Sequence, residues 1–253
     1  MAKASGRAIV ESVANIPTSD GVMWAFHAYP DKRGPYPAII LYQDAPGIRD
    51  ELKGFARRLA NDGYFCLLPD MYYRVGNLRF RLSRRDAAMS AVIKAARNTL
   101  THPMVKADTA AMLDWLGQQA QAKSKAVGTV GYCQGGRFSL AAAGNFPGSV
   151  RAAATFYGTE MVSKGADSPH LLAGRIRGGL YLGFAEHDPS VPASVIPILR
   201  KALNANRQAT FSMETYPATR HGFCFPEREV YHEHSAEIGW RRMTDLFGRC
   251  LKG

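Results

Sequence analysis

Residues 131–136 read Gly-Tyr-Cys-Gln-Gly-Gly and place one cysteine, Cys133, in a frame of small residues. The apolar run 126–130 precedes this hexapeptide, and the run 137–143, Arg-Phe-Ser-Leu-Ala-Ala-Ala, follows it. Strand, sharp turn and helix in this order are the setting of a nucleophile elbow, in which the nucleophile lies on a strained turn. Glycines two residues to either side leave room where a Cβ atom would block the crossing of chains. The stretch therefore predicts a thiolate nucleophile where serine is the usual residue.

The segments around the elbow alternate between short apolar runs and helical patterns. Continuous apolar runs at 38–42 and 64–68 are typical of strands buried on both faces of a parallel sheet, and Asp50 can cap a helix over 51–60 between them. Later strands are predicted at 126–130, 152–156, 180–184 and 211–216, and helices at 84–100, 106–121, 134–144, 193–204 and 232–250. This alternation predicts one α/β domain over residues 1–253, with a mostly parallel central sheet flanked by helices.

The N-terminal part of the chain predicts an antiparallel pair at one edge of that sheet. The segments 7–13 and 22–29 are rich in apolar residues, and the turn signal Asp20-Gly21 joins them. His27 lies in the second of these strands, where a packed or surface imidazole is expected. The segment 71–103 is longer than a simple crossover, and we expect it to cover the substrate site.

Composition and charge exclude several classes of protein. The chain of 253 residues is 46% hydrophobic and 21% charged, as in ordinary globular proteins. No apolar stretch approaches the about 20 residues that cross a bilayer, and residues 1–7 lack an apolar signal core, so a cytoplasmic protein without membrane contact is expected. The net charge of +11 favours an anionic partner, but the dispersed basic residues do not predict nucleic-acid binding. The four scattered cysteines are expected to be free thiols.

Three residues with catalytic chemistry follow predicted strands in the chain order nucleophile, acid, histidine. These are Cys133, Asp188 and His221. Ligands of open α/β sheets bind beyond the carboxyl ends of the strands, and this chain order is that of α/β-hydrolases. The histidine can take the thiol proton, and the carboxylate can fix its tautomer and stabilise its charge. Glu186 and His187 remain open as competitors for the acid position.

An ester hydrolase also needs hydrogen-bond donors for the oxyanion of its intermediate. The backbone N–H of Gln134, directly after the nucleophile, is one predicted donor. The loop 43–47 follows an earlier strand and offers the backbone N–H of Ala45 as the second, because Pro46 has no N–H to donate.

Other polar clusters have weaker functional signals. His221 with Cys224, and His232 with His234, lack the four-ligand pattern of a structural zinc site, so neither a metal nor a cofactor is predicted. Arginines cluster at positions 74, 79, 81, 84 and 85. They are typical of a solvated loop and first helical turn, while a site for a substrate carboxylate is the open alternative, since guanidinium groups bind carboxylates at two points.

On these residues the chain resembles the dienelactone hydrolase family of α/β-hydrolases. The matching motifs lie at 44–49, 69–74, 131–136, Asp188 and 221–223, and the resemblance covers most of residues 38–250. It implies a Cys-His-Asp triad that hydrolyses a lactone or enol ester, such as dienelactone, without a cofactor.

The chain departs from this family at two positions. A glutamate that pairs with the resting thiol in well-known members corresponds to Asp44, which is one methylene shorter, so a contact with Cys133 stays open. Phe225 stands where those members have an arginine that holds the substrate carboxylate. Arg228 is one alternative for that role. The others are Arg79, Arg81 and Arg84.

The leading hypothesis is therefore a carboxylic ester or lactone hydrolase that forms an acyl-thioester at Cys133. Its substrate is expected to be a small molecule, and an anionic substrate is an open alternative. A thiol redox or electrophile-sensing protein is a second hypothesis, although the chain has no Cys-x-x-Cys pair. A non-catalytic binding protein with the same fold is the third, because a fold does not fix a function. The oligomeric state is not predicted.

Overall fold

The strand that leads into the elbow, β5 (Ala122–Tyr132), lies inside an eight-stranded sheet in the computed structural model, which describes residues 8–252. The other strands are β1 (Ile9–Thr18), β2 (Gly21–Pro30), β3 (Tyr36–Tyr42), β4 (Phe65–Pro69), β6 (Val150–Phe156), β7 (Gly178–His187) and β8 (Ala209–Arg220). Their order is β1-β2-β4-β3-β5-β6-β7-β8. The pairs of β2 with β1 and β4 are antiparallel, and all other pairs within this sheet are parallel.

Helices cover both faces of the sheet. They are α1 (Asp50–Asn61), α2 (Ala87–Asn98), α3 (His102–Gly117), α4 (Gln134–Asn145), α5 (Val195–Asn204) and α6 (Glu233–Leu251), with 3₁₀ turns at Leu82–Arg84 and Pro169–Arg175. This architecture confirms the predicted fold class, an α/β-hydrolase type of sheet with an antiparallel N-terminal edge. No helix in the part of the chain from 8 to 252 is long and apolar enough to cross a membrane.

Strand β3 shows why the buried strands are continuous apolar runs. Ile40 and Tyr42 pack in a core that includes residues of α2 to α5, whereas Ile39 and Leu41 pack in a second core with residues of α1 and α6. Because successive side chains of a strand point to opposite faces, a strand covered on both faces is expected to be apolar at nearly every position. The two cores fix the sheet whose carboxyl edge holds the site.

Several predicted boundaries were wrong. Asp50 does not cap α1: it is the first residue of the helix with a side chain 97% exposed, and Arg49 is the N-cap residue. An acidic residue there still interacts favourably with the helix dipole. The helix predicted from 84 is interrupted, because Asp86 caps α2 by accepting a hydrogen bond from the Met89 N–H at 2.7 Å. Helix α3 begins earlier than predicted, since Pro103 fits the first turn of a helix.

The antiparallel pair at the N-terminal edge is confirmed, with Thr18 opposite Gly21, and both strands are longer than predicted. The predicted start of the first strand at Arg7, and the rest of the segment 1–7, lie outside the described residues. His27 is packed as expected, with its ring stacked on Phe65 at a centroid distance of 5.3 Å.

Candidate active site

The Cys133 turn has the geometry of a nucleophile elbow. Cys133 is the N-cap residue of α4 and has φ 55° and ψ −121°, a conformation that non-glycine residues rarely adopt. A Cβ atom on Gly131 would lie 1.9 Å from the carbonyl oxygen of Gly135. A Cβ atom on Gly135 would lie 2.5 Å from the carbonyl oxygen of Tyr42. The glycines are therefore required for the close approach of three chain segments under the nucleophile.

Backbone hydrogen bonds hold the strained residue in place. The Cys133 N–H donates to the Phe156 carbonyl at 3.1 Å, and the Cys133 carbonyl accepts from the N–H groups of Gly136 (3.0 Å) and Thr159 (3.1 Å). A residue in a rare backbone conformation costs about 1–3 kcal/mol and persists where its surroundings fix it. The two partners outside α4 are the last residue of β6 and a residue of the loop that follows it, and they orient the thiol.

The structure brings the three predicted catalytic residues together. Asp188 and His221 follow β7 and β8, which are neighbours in the sheet, and His221 Nδ1 lies 2.7 Å from Asp188 Oδ2. The His221 imidazole also lies within electrostatic range of the Cys133 thiol. The Asp188 side chain is 2% exposed. This leaves the ring held between a buried carboxylate and the nucleophile.

The two competitors for the acid position lie elsewhere. The Glu186 carboxylate accepts a hydrogen bond from the Ala218 backbone N–H at 2.8 Å. The His187 side chain is exposed and lies 3.4 Å from that same carboxylate. Asp188 is therefore the acid that the geometry favours.

The electrostatics of the pair favour a thiolate and an imidazolium. Burial acts to raise the pKa of the Cys133 thiol, but the hydrogen bond and positive charge of His221 outweigh it and lower that pKa below its ordinary value. Burial acts in the opposite direction on the imidazole, yet the hydrogen bonds to Asp188 and Cys133 raise the pKa of His221 to about 9. Both shifts favour transfer of the thiol proton to the histidine.

This charge separation predicts an alkylation profile. The rate at which iodoacetamide modifies Cys133 should have its pH midpoint below that of an ordinary cysteine, because the hydrogen bond and charge of His221 lower the pKa of this thiol. In His221→Ala the midpoint should move upward, because burial then acts without the imidazolium. Mass spectrometry of the modified peptide over a pH series measures both midpoints. Identical midpoints in the two proteins would contradict the ion pair.

A tyrosine connects the two predicted oxyanion residues. Tyr72 Oη donates to the Ala45 carbonyl oxygen at 2.7 Å and accepts from Gln134 Nε2 at 3.0 Å. Gln134 is also the first residue of α4, where backbone N–H groups have no intrahelical acceptor and attract anions. The Tyr72 contact, which sequence reasoning missed, ties the loop with Ala45 to the start of α4. Tyr72 was visible only as a member of the motif 69–74.

Asp44 pairs with arginines. Its fully buried carboxylate lies 2.5 Å from Arg49 Nη1 through Oδ1 and 2.6 Å from Arg228 Nη2 through Oδ2. Arg49 also pairs with Glu227. The negative charge of Asp44 acts to raise the pKa of Cys133, and the positive charge of Arg228 acts to lower it. Both side chains therefore lie within electrostatic range of the thiol.

Phe225 lies inside this charged group. Its ring is fully buried, and the guanidinium carbons of Arg49 and Arg228 lie 4.8 Å and 4.7 Å from its centroid. The ring also stacks on Phe55 at 5.3 Å. Phe225 therefore supplies an aromatic surface for two cations. Arg49 and Arg228 bring positive charge to the surroundings of position 225, although that position itself has no arginine.

The arginine cluster of residues 74–85 is occupied by ion pairs or exposed. Arg79 pairs with Asp70 at 2.7 Å, and Arg81 and Arg84 are exposed around the first 3₁₀ turn. Arg74 is bound by Asp108 at 2.8 Å and by Asp20 at 2.7 Å. These ion pairs attach the segment to α3 and to the first turn of the chain.

Tyr157 is a second site residue that the sequence did not reveal. It follows β6, its ring packs edge-on against His221 at a centroid distance of 4.9 Å, and its φ is 40°. Burial raises the pKa of its hydroxyl well above the ordinary value. The only signal was its place directly after a strand.

As for metals, no group of three or more His, Cys, Asp or Glu side chains suited to bind one occurs within residues 8–252.

Comparisons with known proteins agree with this geometry. The model of the dienelactone hydrolase family matches residues 23–251. A relative from Escherichia coli O157:H7, provisionally named carboxymethylenebutenolidase, is 30% identical over 247 residues, which cover 95% of this chain and 87% of the relative. A similarly named protein of Methylorubrum extorquens is 29% identical over 94% of this chain and 81% of its own length. A crystal structure from Klebsiella pneumoniae, provisionally named dienelactone hydrolase, has a TM-score of 0.84 at 28% identity, covering 96% of this chain and all of that one.

Proposed function

Since the chain belongs to the dienelactone hydrolase family, we propose that it cleaves lactones and enol esters through a Cys133-His221-Asp188 triad and an acyl-thioester. The family makes the chain a carboxylic ester hydrolase of the carboxymethylenebutenolidase type, with a small ester or lactone as substrate. The observation that carries the proposal is the hydrogen bond of Asp188 to His221, within electrostatic range of a thiol on a strained elbow.

In the first half of the reaction the Cys133 thiolate attacks the carbonyl carbon and forms a carbon–sulfur bond. The carbonyl oxygen becomes an oxyanion, which the backbone N–H groups of Gln134 and Ala45 stabilise by hydrogen bonds. When the intermediate collapses, the bond to the leaving oxygen breaks and that oxygen takes the proton of His221. With a lactone the leaving oxygen stays attached to the acyl group, which is then bound as a thioester.

In the second half a water molecule hydrolyses the thioester. Neutral His221 takes one proton from the water as its oxygen attacks the acyl carbon, and Asp188 stabilises the resulting imidazolium. The carbon–sulfur bond then breaks, the carboxylic acid leaves, and the ion pair of thiolate and imidazolium is restored. Protons balance within the cycle, so no cofactor takes part in these steps.

The surroundings of the triad support small substrates, among them negatively charged esters. A cleft of about 560 Å³ beside the triad is lined by His187, Asp188, Pro189, Arg220 and His221. Its volume is in the range of ordinary small-molecule sites. Arg228 acts on the thiol as a positive charge, and the chain has a net charge of +11. A positive field raises the rate of encounter with anionic substrates.

The direct test is capture of the intermediate. On rapid acid quench after mixing with an enol lactone or p-nitrophenyl acetate, we expect the Cys133 peptide to show the added mass of the acyl group. With p-nitrophenyl acetate, nitrophenol should appear in a burst of one equivalent if deacylation is slow.

Three outcomes would contradict the proposal. Steady turnover with the acyl group on another residue would exclude Cys133 as nucleophile. Oxidation or alkylation of Cys133 without turnover of any ester would favour a thiol sensor, and ligand binding without either would favour a binding protein.

A further inference from the structure

Part of the positive charge of the chain gathers at the edge of the sheet opposite the triad. Strands β5 to β8 run parallel, so their amino ends meet at this edge. The segments 121–127, 147–152, 173–180 and 205–211 lead into these strands and contain six basic residues and no acidic residue. The basic residues are Lys123, Lys125, Arg151, Arg175, Arg177 and Arg207. The net charge of +11 therefore has a local source in the fold, although the basic residues are dispersed along the sequence.

The basic side chains at this edge are exposed and have no partners. None of the six, nor Arg249 near the end of α6, forms a side-chain hydrogen bond or ion pair within residues 8–252. Partly exposed arginines elsewhere do pair with carboxylates, as Arg57 does with Glu11 at 2.8 Å. The edge therefore presents cations that the described part of the chain does not neutralise.

Two of these arginines share a cavity of about 320 Å³. It is lined by Arg151 of β6, Gly178 and Gly179 of β7, Gln208 and Thr210 at the start of β8, and Arg249 and Cys250 of α6. Gly179 lies opposite Ala152 on one side and Thr210 on the other, so the cavity is built on three paired strands. Asp188 is nine residues further along the chain, about 30 Å away at about 3.3 Å per residue. The cavity is therefore separate from the triad.

The side chains that line the cavity include hydrogen-bond donors and no carboxylate. Arg151 and Arg249 supply guanidinium groups, and Gln208 and Thr210 supply an amide and a hydroxyl. None of these four side chains has a hydrogen-bond partner in the described part of the chain. A phosphate monoester has about two negative charges and three acceptor oxygens, and guanidinium groups bind phosphate oxygens at two points. Two cations and two neutral donors therefore match a phosphate group better than a carboxylate, which has a single charge.

We propose that this cavity, the amino-edge cavity, binds the phosphate group of a small ligand. Arg151 and Arg249 bind the phosphate from β6 and α6, and Gln208 and Thr210 donate to its remaining oxygens. The volume of the cavity is at the lower end of the range of small-molecule sites, so the ligand is a compact phosphate ester. The other basic residues of the edge raise the local concentration of anions. The site lies outside the triad and does not depend on the proposed hydrolysis.

Calorimetry with inorganic pyrophosphate tests the site. Arg151→Gln and Arg249→Gln should each raise Kd about tenfold or more, because each removes a charged hydrogen-bond donor. Both should stay folded, since neither side chain has a hydrogen bond or ion pair to lose within residues 8–252. The matched control is Arg241→Gln, which removes the same charge from an exposed position of α6, about 12 Å along the helix from Arg249. At physiological ionic strength exposed charges more than about 8 Å apart are largely screened, so this variant should change Kd less than about twofold.

Cys250 reports where the anion binds, because it lines the amino-edge cavity. Saturating pyrophosphate should slow the alkylation of Cys250 by iodoacetamide and leave that of Cys133 unchanged, as mass spectrometry of the two peptides measures. Arg151→Gln should abolish this protection at the same concentration of pyrophosphate.

A soluble phosphate ester and a lipid headgroup both carry the proposed group, and sedimentation with phosphatidylcholine vesicles that contain phosphatidic acid distinguishes them. Sedimentation that Arg151→Gln and Arg249→Gln abolish assigns the site to a headgroup. Pyrophosphate binding without sedimentation assigns it to a soluble ester.

Three results would overturn the inference. One is a parent protein that does not bind pyrophosphate. Another is an equal loss of affinity in Arg241→Gln and Arg249→Gln, and the third is equally tight binding of citrate, a carboxylate anion of similar charge. The last two would show attraction by net charge alone. These measurements need no turnover of an ester, so the amino-edge cavity and the proposed hydrolase function stand or fall separately.

Discussion

Cys133→Ala should reduce kcat for an activated ester by about 10⁴-fold or more, because it removes the nucleophile and leaves only the oxyanion donors and substrate binding. The elbow should stay folded, since its backbone hydrogen bonds and the glycine contacts do not involve the thiol. The measurement is steady-state hydrolysis of p-nitrophenyl acetate, with circular dichroism to verify the fold.

A second cysteine provides the control. Cys250 is a half-buried free thiol on α6 that lines a cavity with Gly178 and Gly179, at the opposite end of β7 from Asp188. Cys250→Ala should hydrolyse the ester at the parent rate. Turnover that persists in Cys133→Ala at more than a few per cent of the parent rate would exclude the thioester mechanism.

Asp44→Ala should lower the free energy of unfolding by about 3–5 kcal/mol, the range measured when one partner of a buried ion pair is removed. Its carboxylate is fully buried and contacts Arg49 and Arg228, so the substitution leaves two largely buried guanidinium groups without their shared partner. Arg49 retains Glu227, whereas the buried Arg228 Nε already lacks an acceptor among the described residues. Urea denaturation measures the change.

The comparison for Asp44→Ala is an exposed ion pair. Glu11 binds Arg57 at 2.8 Å on the surface of the sheet edge, and Glu11→Ala should cost less than about 1 kcal/mol. Equal losses for Glu11→Ala and Asp44→Ala would contradict the central structural role of Asp44.

The fold was predictable where the pattern of apolar residues follows from burial. Strands at 38–42 and 152–156 are apolar except at Thr155, because both faces of the sheet are covered, and the structure has β3 and β6 there. Boundaries were less predictable, because caps depend on single side chains. Asp50 and Asp86 look alike in the sequence, yet only Asp86 accepts a hydrogen bond from a helix N–H.

The proximity of Cys133, Asp188 and His221 was predictable because each follows a strand, and the carboxyl ends of parallel strands meet at one edge. The ion pairs were not. Asp44 and Arg228 are 184 residues apart, and Arg97 and Glu160 are 63 apart. No periodicity links such residues, and only the packing of helices and loops against the finished sheet determines which cation meets which carboxylate.

The position of β8 at the edge of the sheet has a consequence for the order in which a newly made chain acquires its reactivity. The elbow and its hydrogen bonds are complete once β5, α4 and β6 have assembled, but His221 reaches the thiol only after β8 pairs with β7. Burial alone raises the pKa of Cys133, and His221 reverses this effect. Until this last strand docks, the Cys133 thiol lacks the partner that lowers its pKa, so we expect its thiolate character to develop only as the final strand of the sheet joins.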